Sequence, residues 1–289
     1  MAVEQAKNLT LPFSETYLKQ RHNLYKNADV AKFNSVQQKE LAYLKIQERY
    51  PERFLPWPVQ VNVLNNLRSD DDAVVQWSKL VLQRLIDARE SNILLSRYER
   101  QILIDYTKDA PDNVKELKKY LSTYKPRTRL GLYQHPNGKE WYQSKLNYYL
   151  GDSKSPNKTL NDIQTKLANR GKHRSLVLFE MDTNHFTLDY LKSHCDLIKG
   201  LNWVDAYINL PASAKQCAHT HNANTTRLFL SVMEIDIGLH YQGWSKQQAR
   251  VTLKARLNLT DFEVDKLIEG TVLYPAAIFS LTPFLEFSA

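Results

Sequence analysis

A mainly helical protein is the fold class this sequence predicts, as one domain over residues 1–289 with a small mixed α/β insertion at 171–224. Three observations predict it. Glycine is scarce, with 8 residues in 289, and the first is Gly131. A long opening stretch without glycine, rich in Leu, Lys, Glu, Gln and Arg, favours helices over a sandwich or a nucleotide-binding βαβ unit. Apolar residues recur at helical spacing, as in Val74, Trp77, Val81, Leu82, Leu85 and Ile86. Helix starts are spelled out as capping boxes at Ser96 with Glu99, Ser245 with Gln248 and Thr260 with Glu263.

The elements follow in order. Pro51, Pro56 and Pro58 break an early helix, and Phe54, Leu55 and Trp57 among them read as packing anchors. Ser69 to Asp72 caps the run through Trp77, and Ser96 opens a helix through Ile102 and Ile104. Asp109 to Asp112 starts a helix ending near Tyr124, before Pro126. The Asn137-Gly138 turn leads into a helix holding Trp141, Tyr142, Leu146, Tyr149 and Leu150, after which Thr159 caps the next. Between 171 and 224 the character changes. Ser175 to Asp182 and Trp203 to Leu210 read as short strands, with helical spacing from Leu188 to Ile198. From Thr225 the chain is helical again, and the apolar segment from Tyr274 to Phe287, carrying Pro275 and Pro283, reads as an extended packed tail.

Composition narrows the function. Hydrophobic content of 43% and charged content of 24% fit a chain with an ordinary buried core. No glycine-rich phosphate loop is present, which argues against nucleotide chemistry. Net charge is +8, densest from Lys115 to Arg129, where Lys118, Lys119, Lys125 and Arg127 alternate with Tyr120 and Tyr124. Such a run on one face would suit a nucleic acid, but no nucleic-acid motif accompanies it and a solvated helix face followed by a turn is the favoured reading. Cys195 and Cys217 are enough for one disulfide but not for a cysteine scaffold. The N-terminus has no apolar signal core and no stretch reaches membrane-spanning length, so a soluble chain is expected and its compartment stays open.

The most informative stretch is Asp236-Ile-Gly-Leu-His-Tyr-Gln-Gly-Trp-Ser-Lys-Gln-Gln-Ala249. If Leu228 to Leu239 is helical, Asp236 and His240 lie four apart on one face. Gly243 then stops the helix and Ser245 caps the next. A second stretch, Gly131-Leu-Tyr-Gln-His-Pro-Asn-Gly-Lys-Glu-Trp-Tyr142 and the run to about Ile163, pairs a glycine-containing turn with a tyrosine-bearing helix. In chain order, the 131–163 stretch before the 236–249 stretch, the two resemble the bacterial family known as domain of unknown function 885, whose members look like helical zinc peptidases. Together they cover about a third of the chain.

That resemblance implies a helical fold and a zinc site, yet the sequence departs from it where the chemistry sits. Zinc hydrolysis needs about three protein ligands, an open position and a carboxylate beside the bound water. No histidine here is followed by glutamate, and the family's Glu-Gly-Trp is missing. The family arginine four before the aspartate is Val232, and its polar C-terminal pattern falls on Pro275, Ala277 and Leu281. Asp236, Gly238, His240, Gly243 and Trp244 are retained.

The expected function is therefore a non-catalytic relative, with no cofactor, that binds a peptide or protein, with Asp236 and His240 as candidate binding residues. They form either a substrate-orienting, proton-handling couple or a structural one. In the structural reading a cationic His240 ends the helix, hydrogen-bonded to Asp236, while Gly238 allows close packing and Trp244 is core. The main alternative is a metallohydrolase that rebuilt a metal site from His219, His221 and His240 with a nearby carboxylate, and Cys217 could join His219 and His221 on a metal. Glu180, Asp182 and His185 form a looser acid–histidine group matching no metal spacing.

Overall fold

A computed structural model describes residues 14–50, 71–108, 114–169, 223–257 and 259–282. Among these residues there are ten α-helices, three short 3-10 turns and no strand. The mainly helical expectation holds. Residues 171–222, where the mixed insertion was expected, lie outside the described residues, as do Phe54, Trp57, Ser69, Cys195 and the tail from 283. The chain divides into two compact units, Met1–Thr128 and Arg129–Ala289.

In the first unit, α1 (Glu15–Asn27) and α2 (Ser35–Gln47) pack on one another. Ser14 caps α1, and Asn34 with Gln37 forms a full capping box on α2. The helix α1 buries no residue completely, while α3 (Asp71–Glu90) buries Val74, Trp77, Val81, Leu85 and Ala88 along one stripe. In a half without glycine, α3 ends on Asn92, whose φ of 57° takes the left-handed position that glycine usually fills. The Ile93 N–H closes that end on the Ala88 carbonyl at 2.8 Å.

The Ser96–Glu99 box opens α4 (Arg97–Lys108) as the sequence predicts. Helix α5 (Lys115–Thr123), with Val114 at its N-cap, packs on α3 and α4, and the start expected at Asp109–Asp112 lies outside the described residues. The segment beyond α5 is sewn to the start of α4. Arg127 donates to Glu99 at 2.6 Å and to the Leu94 carbonyl at 2.7 Å, and the Tyr124 hydroxyl accepts from Leu95 N–H at 2.9 Å.

In the second unit, α6 (Gly138–Leu150), α7 (Pro156–Asn169), α9 (Lys246–Arg256) and α10 (Asp261–Leu273) all pack against α8 (Ala223–His240). Every residue from Leu228 to His240 is buried, so α8 is covered all round. Its polar side chains must then find partners inside the protein. Ser231 donates to the Arg227 carbonyl, while Glu234 receives Arg256 from α9 through two nitrogens and Gln164 from α7.

Two expectations are corrected here. Helix α7 starts at Pro156 with Ser155 accepting from Lys158 N–H, three residues before Thr159, because proline at the first helical position has no N–H to lose. The described part of the tail is not extended either. After Tyr274 the chain turns through Ala276 and runs as a 3-10 helix over Ala277–Leu281, packed on α6 and α8.

Candidate functional site

The block at the end of α8 is built as the sequence implied and then used in a way it did not reveal. Helix α8 ends at His240, Gly243 takes a left-handed φ of 71°, and Trp244 N–H reaches back to the Gly238 carbonyl at 2.8 Å. The bond closes the turn that left-handed Gly243 makes past the helix end. A Cβ on Gly238 would lie 2.3 Å from the Trp244 ring, so the missing side chain is what lets the indole lie on the helix. Trp244 is half-buried rather than core, because it covers the helix end from outside. Ser245 and Gln248 then form the full box that opens α9.

Asp236 and His240 do share one face, one turn apart, and both are buried. The His240 ring bridges two backbone groups. Nδ1 accepts from the Leu132 N–H at 3.0 Å, and Nε2 lies 3.0 Å from the Thr271 carbonyl. An N–H can only donate and a carbonyl can only accept, so the ring is the neutral tautomer with its proton on Nε2. The cationic histidine expected at this helix end is thereby corrected, since a proton on Nδ1 would face another donor.

Asp236 accepts from the Tyr142 hydroxyl at 2.5 Å and from the Ala276 N–H at 3.2 and 3.1 Å, one contact on each oxygen. Tyr142 links the two residues, because its ring also stacks on His240 at 5.5 Å with 9° between planes. Burial pushes the Asp236 carboxyl up to about 7, against the opposing pull of its bonds from Tyr142 and Ala276. Burial, with Asp236 beside it, holds the Tyr142 hydroxyl well above its ordinary value.

The partners on the far side explain the pattern. In α10 the Gly270 carbonyl receives Tyr274 N–H at 3.0 Å, and the Thr271 carbonyl would next receive residue 275. That residue is Pro275, which has no N–H. The Nε2–H of His240 supplies the missing donor. One step on, Ala276 sits at φ 64°, a left-handed conformation unfavourable for alanine, with its N–H held by Asp236. The couple on α8 therefore caps the broken end of α10.

Gly131 completes the arrangement. A Cβ there would lie 1.9 Å from the Leu239 carbonyl oxygen and 2.8 Å from the His240 Cα. Only glycine lets the 131–132 backbone come close enough for Leu132 N–H to reach His240. On the outer side of the same turn, Lys139 Nζ stands 5.2 Å from the ring centres of both Tyr133 and Tyr241.

Chemically, this is a poor place for zinc. The one lone pair of the neutral His240 ring already accepts a backbone N–H, and both Asp236 oxygens are engaged. No cluster of three or more His, Cys, Asp or Glu residues arranged for a metal occurs among the described residues. Cys217, His219 and His221, and likewise Glu180, Asp182 and His185, lie outside the described residues. The basic run is not one exposed face, since Tyr124 and Arg127 are interior. No described helix is long and apolar enough to cross a membrane. Sequence reasoning missed Gly131, Thr271 and Ala276 as parts of the site. The readable signal was Pro275, four residues beyond Thr271.

Comparison with protein-family models, with curated proteins and with solved structures finds no match.

Proposed function

We propose that this chain is a non-catalytic relative of the helical zinc-peptidase-like family it resembles, and that it binds a peptide or protein. The observation that carries the first half is the commitment of Asp236 and His240 to structure. Both are buried, and their polar atoms bond to backbone groups at 132, 271 and 276 and to Tyr142. A general base or metal ligand needs a lone pair facing a substrate or an ion.

Support for binding comes from the first unit. Between α1 and α2 lies an open groove of about 850 Å³, lined by Leu24, Phe33, Leu41 and Leu44 with Glu40 among them. Leu24 is 70% exposed there among the described residues, and burial in the groove pushes the Glu40 carboxyl up. Apolar surface of this kind, rimmed by polar side chains, is what a peptide segment covers.

The test pairs two measurements on the full chain. Selection from a displayed peptide library is compared with the Leu24→Glu variant, whose exposed position tolerates a charge. Metal content is measured after zinc exposure and buffer exchange. Selected peptides that lose binding to Leu24→Glu, with no retained zinc, support the proposal. About one zinc per chain, lost on His219→Ala, would restore the metallohydrolase.

A further inference from the structure

We infer that the turn following α10 is a proton-operated latch, in which protonated Asp236 holds Ala276 closed onto α6 and α8 and loss of that proton frees it. The geometry behind this is a carboxyl group enclosed with weak compensation for a charge. It meets the Tyr142 hydroxyl from α6 and the Ala276 N–H from the turn, while the neutral His240 ring, one helical turn along α8, stacks on Tyr142. The 131–132 turn and α10 bring backbone groups to His240, Leu132 N–H and the Thr271 carbonyl. Glu234, the other buried acid of α8, pairs with Arg256 of α9 and Gln164 of α7. It lies two residues from Asp236, about 200° around the helix, so that cation serves Glu234 on the opposite side.

An ionised Asp236 would thus be a buried anion with a hydroxyl and one shared N–H for support. The closed turn is also held against its own backbone preference, because Ala276 is left-handed at φ 64°. Opening the turn lets water reach the carboxylate and lets Ala276 relax. Both changes favour the open form once the proton leaves. The direction agrees with the upward displacement of the carboxyl, from an ordinary 3.8 to about 7 when closed.

The balance between closed and open then moves with pH in a defined window. With those two values, opening rises roughly fiftyfold from pH 5 to pH 7 and only about twofold from pH 7 to pH 8. The latch is independent of what the α1–α2 groove binds.

Amide hydrogen exchange of residues 276–279 in the full chain tests it, corrected for intrinsic exchange and compared with Asp236→Asn. The expected result is protection that falls steeply to pH 7 and then levels in the natural chain, while Asp236→Asn is flat. Flat protection in the natural chain, the same slope in Asp236→Asn, or an equal slope at the α8 amides would overturn it. If Asp236→Asn does not fold, carbon-detected titration of the Asp236 carboxyl decides. A midpoint near 7 upholds the latch and one below 5 refutes it.

Discussion

Replacing His240 with phenylalanine separates the shape of this side chain from its hydrogen bonds. The new ring keeps the flat face that stacks on Tyr142 at 5.5 Å. It removes both nitrogens, leaving the Leu132 N–H and the Thr271 carbonyl without the partners that now sit 3.0 Å away. Neither loss is easily repaired. The helical donor for Thr271 would be Pro275, which has none, and Leu132 is fully buried. A buried backbone group left unpaired costs about 1–3 kcal/mol, so the two together should cost about 2–6 kcal/mol. That is a large share of a typical domain stability of about 5–15 kcal/mol. Urea unfolding followed by near-ultraviolet circular dichroism reads the difference directly. His240→Phe should lower the midpoint strongly, and adding Pro275→Ala should return part of the loss by giving residue 275 an N–H. A cost below about 1 kcal/mol would show that the ring is a packing residue and that the capping argument is wrong.

Other predictions concern the same contacts and the first unit. Gly131→Ala should destabilise by on the order of 3 kcal/mol in urea unfolding, because its Cβ meets the backbone of Leu239 and His240 rather than movable side chains. Tyr142→Phe removes a bond that lowers the Asp236 value, so carboxyl titration should place its midpoint above 7. Since the folded value of Asp236 is raised, its stabilising contribution is full below about pH 4 and fades as pH rises toward 7, by about 4 kcal/mol at most. Asp236→Asn should flatten that part of a stability-against-pH curve. Arg127→Met, which strands Glu99 in the interior, should cost about 3–5 kcal/mol, whereas Lys119→Met on the exposed face should stay within about 0.5 kcal/mol. Equal effects of the two would mean that the Lys115–Arg129 run behaves as one solvated face after all.

The sequence carried the helical class and the starts of α4, α6, α9 and α10. Scarce glycine, apolar spacing and three capping boxes each act within a few residues, so they can be read along the chain. It also singled out the helix that ends at Asp236 and His240 with its glycine stop. Where it went astray, a second local rule competed. Pro156 with Ser155 outranked Thr159 as the start of α7.

What Asp236 and His240 do is set by packing across the second unit. Their partners at Leu132, Tyr142, Thr271 and Ala276 lie as far as 108 positions away in the chain, and no periodicity carries that distance. The cause is the enclosure of α8. A helix buried on every side must hand its polar groups to whatever packs against it, and here that is the end of α10, which Pro275 leaves short of a donor.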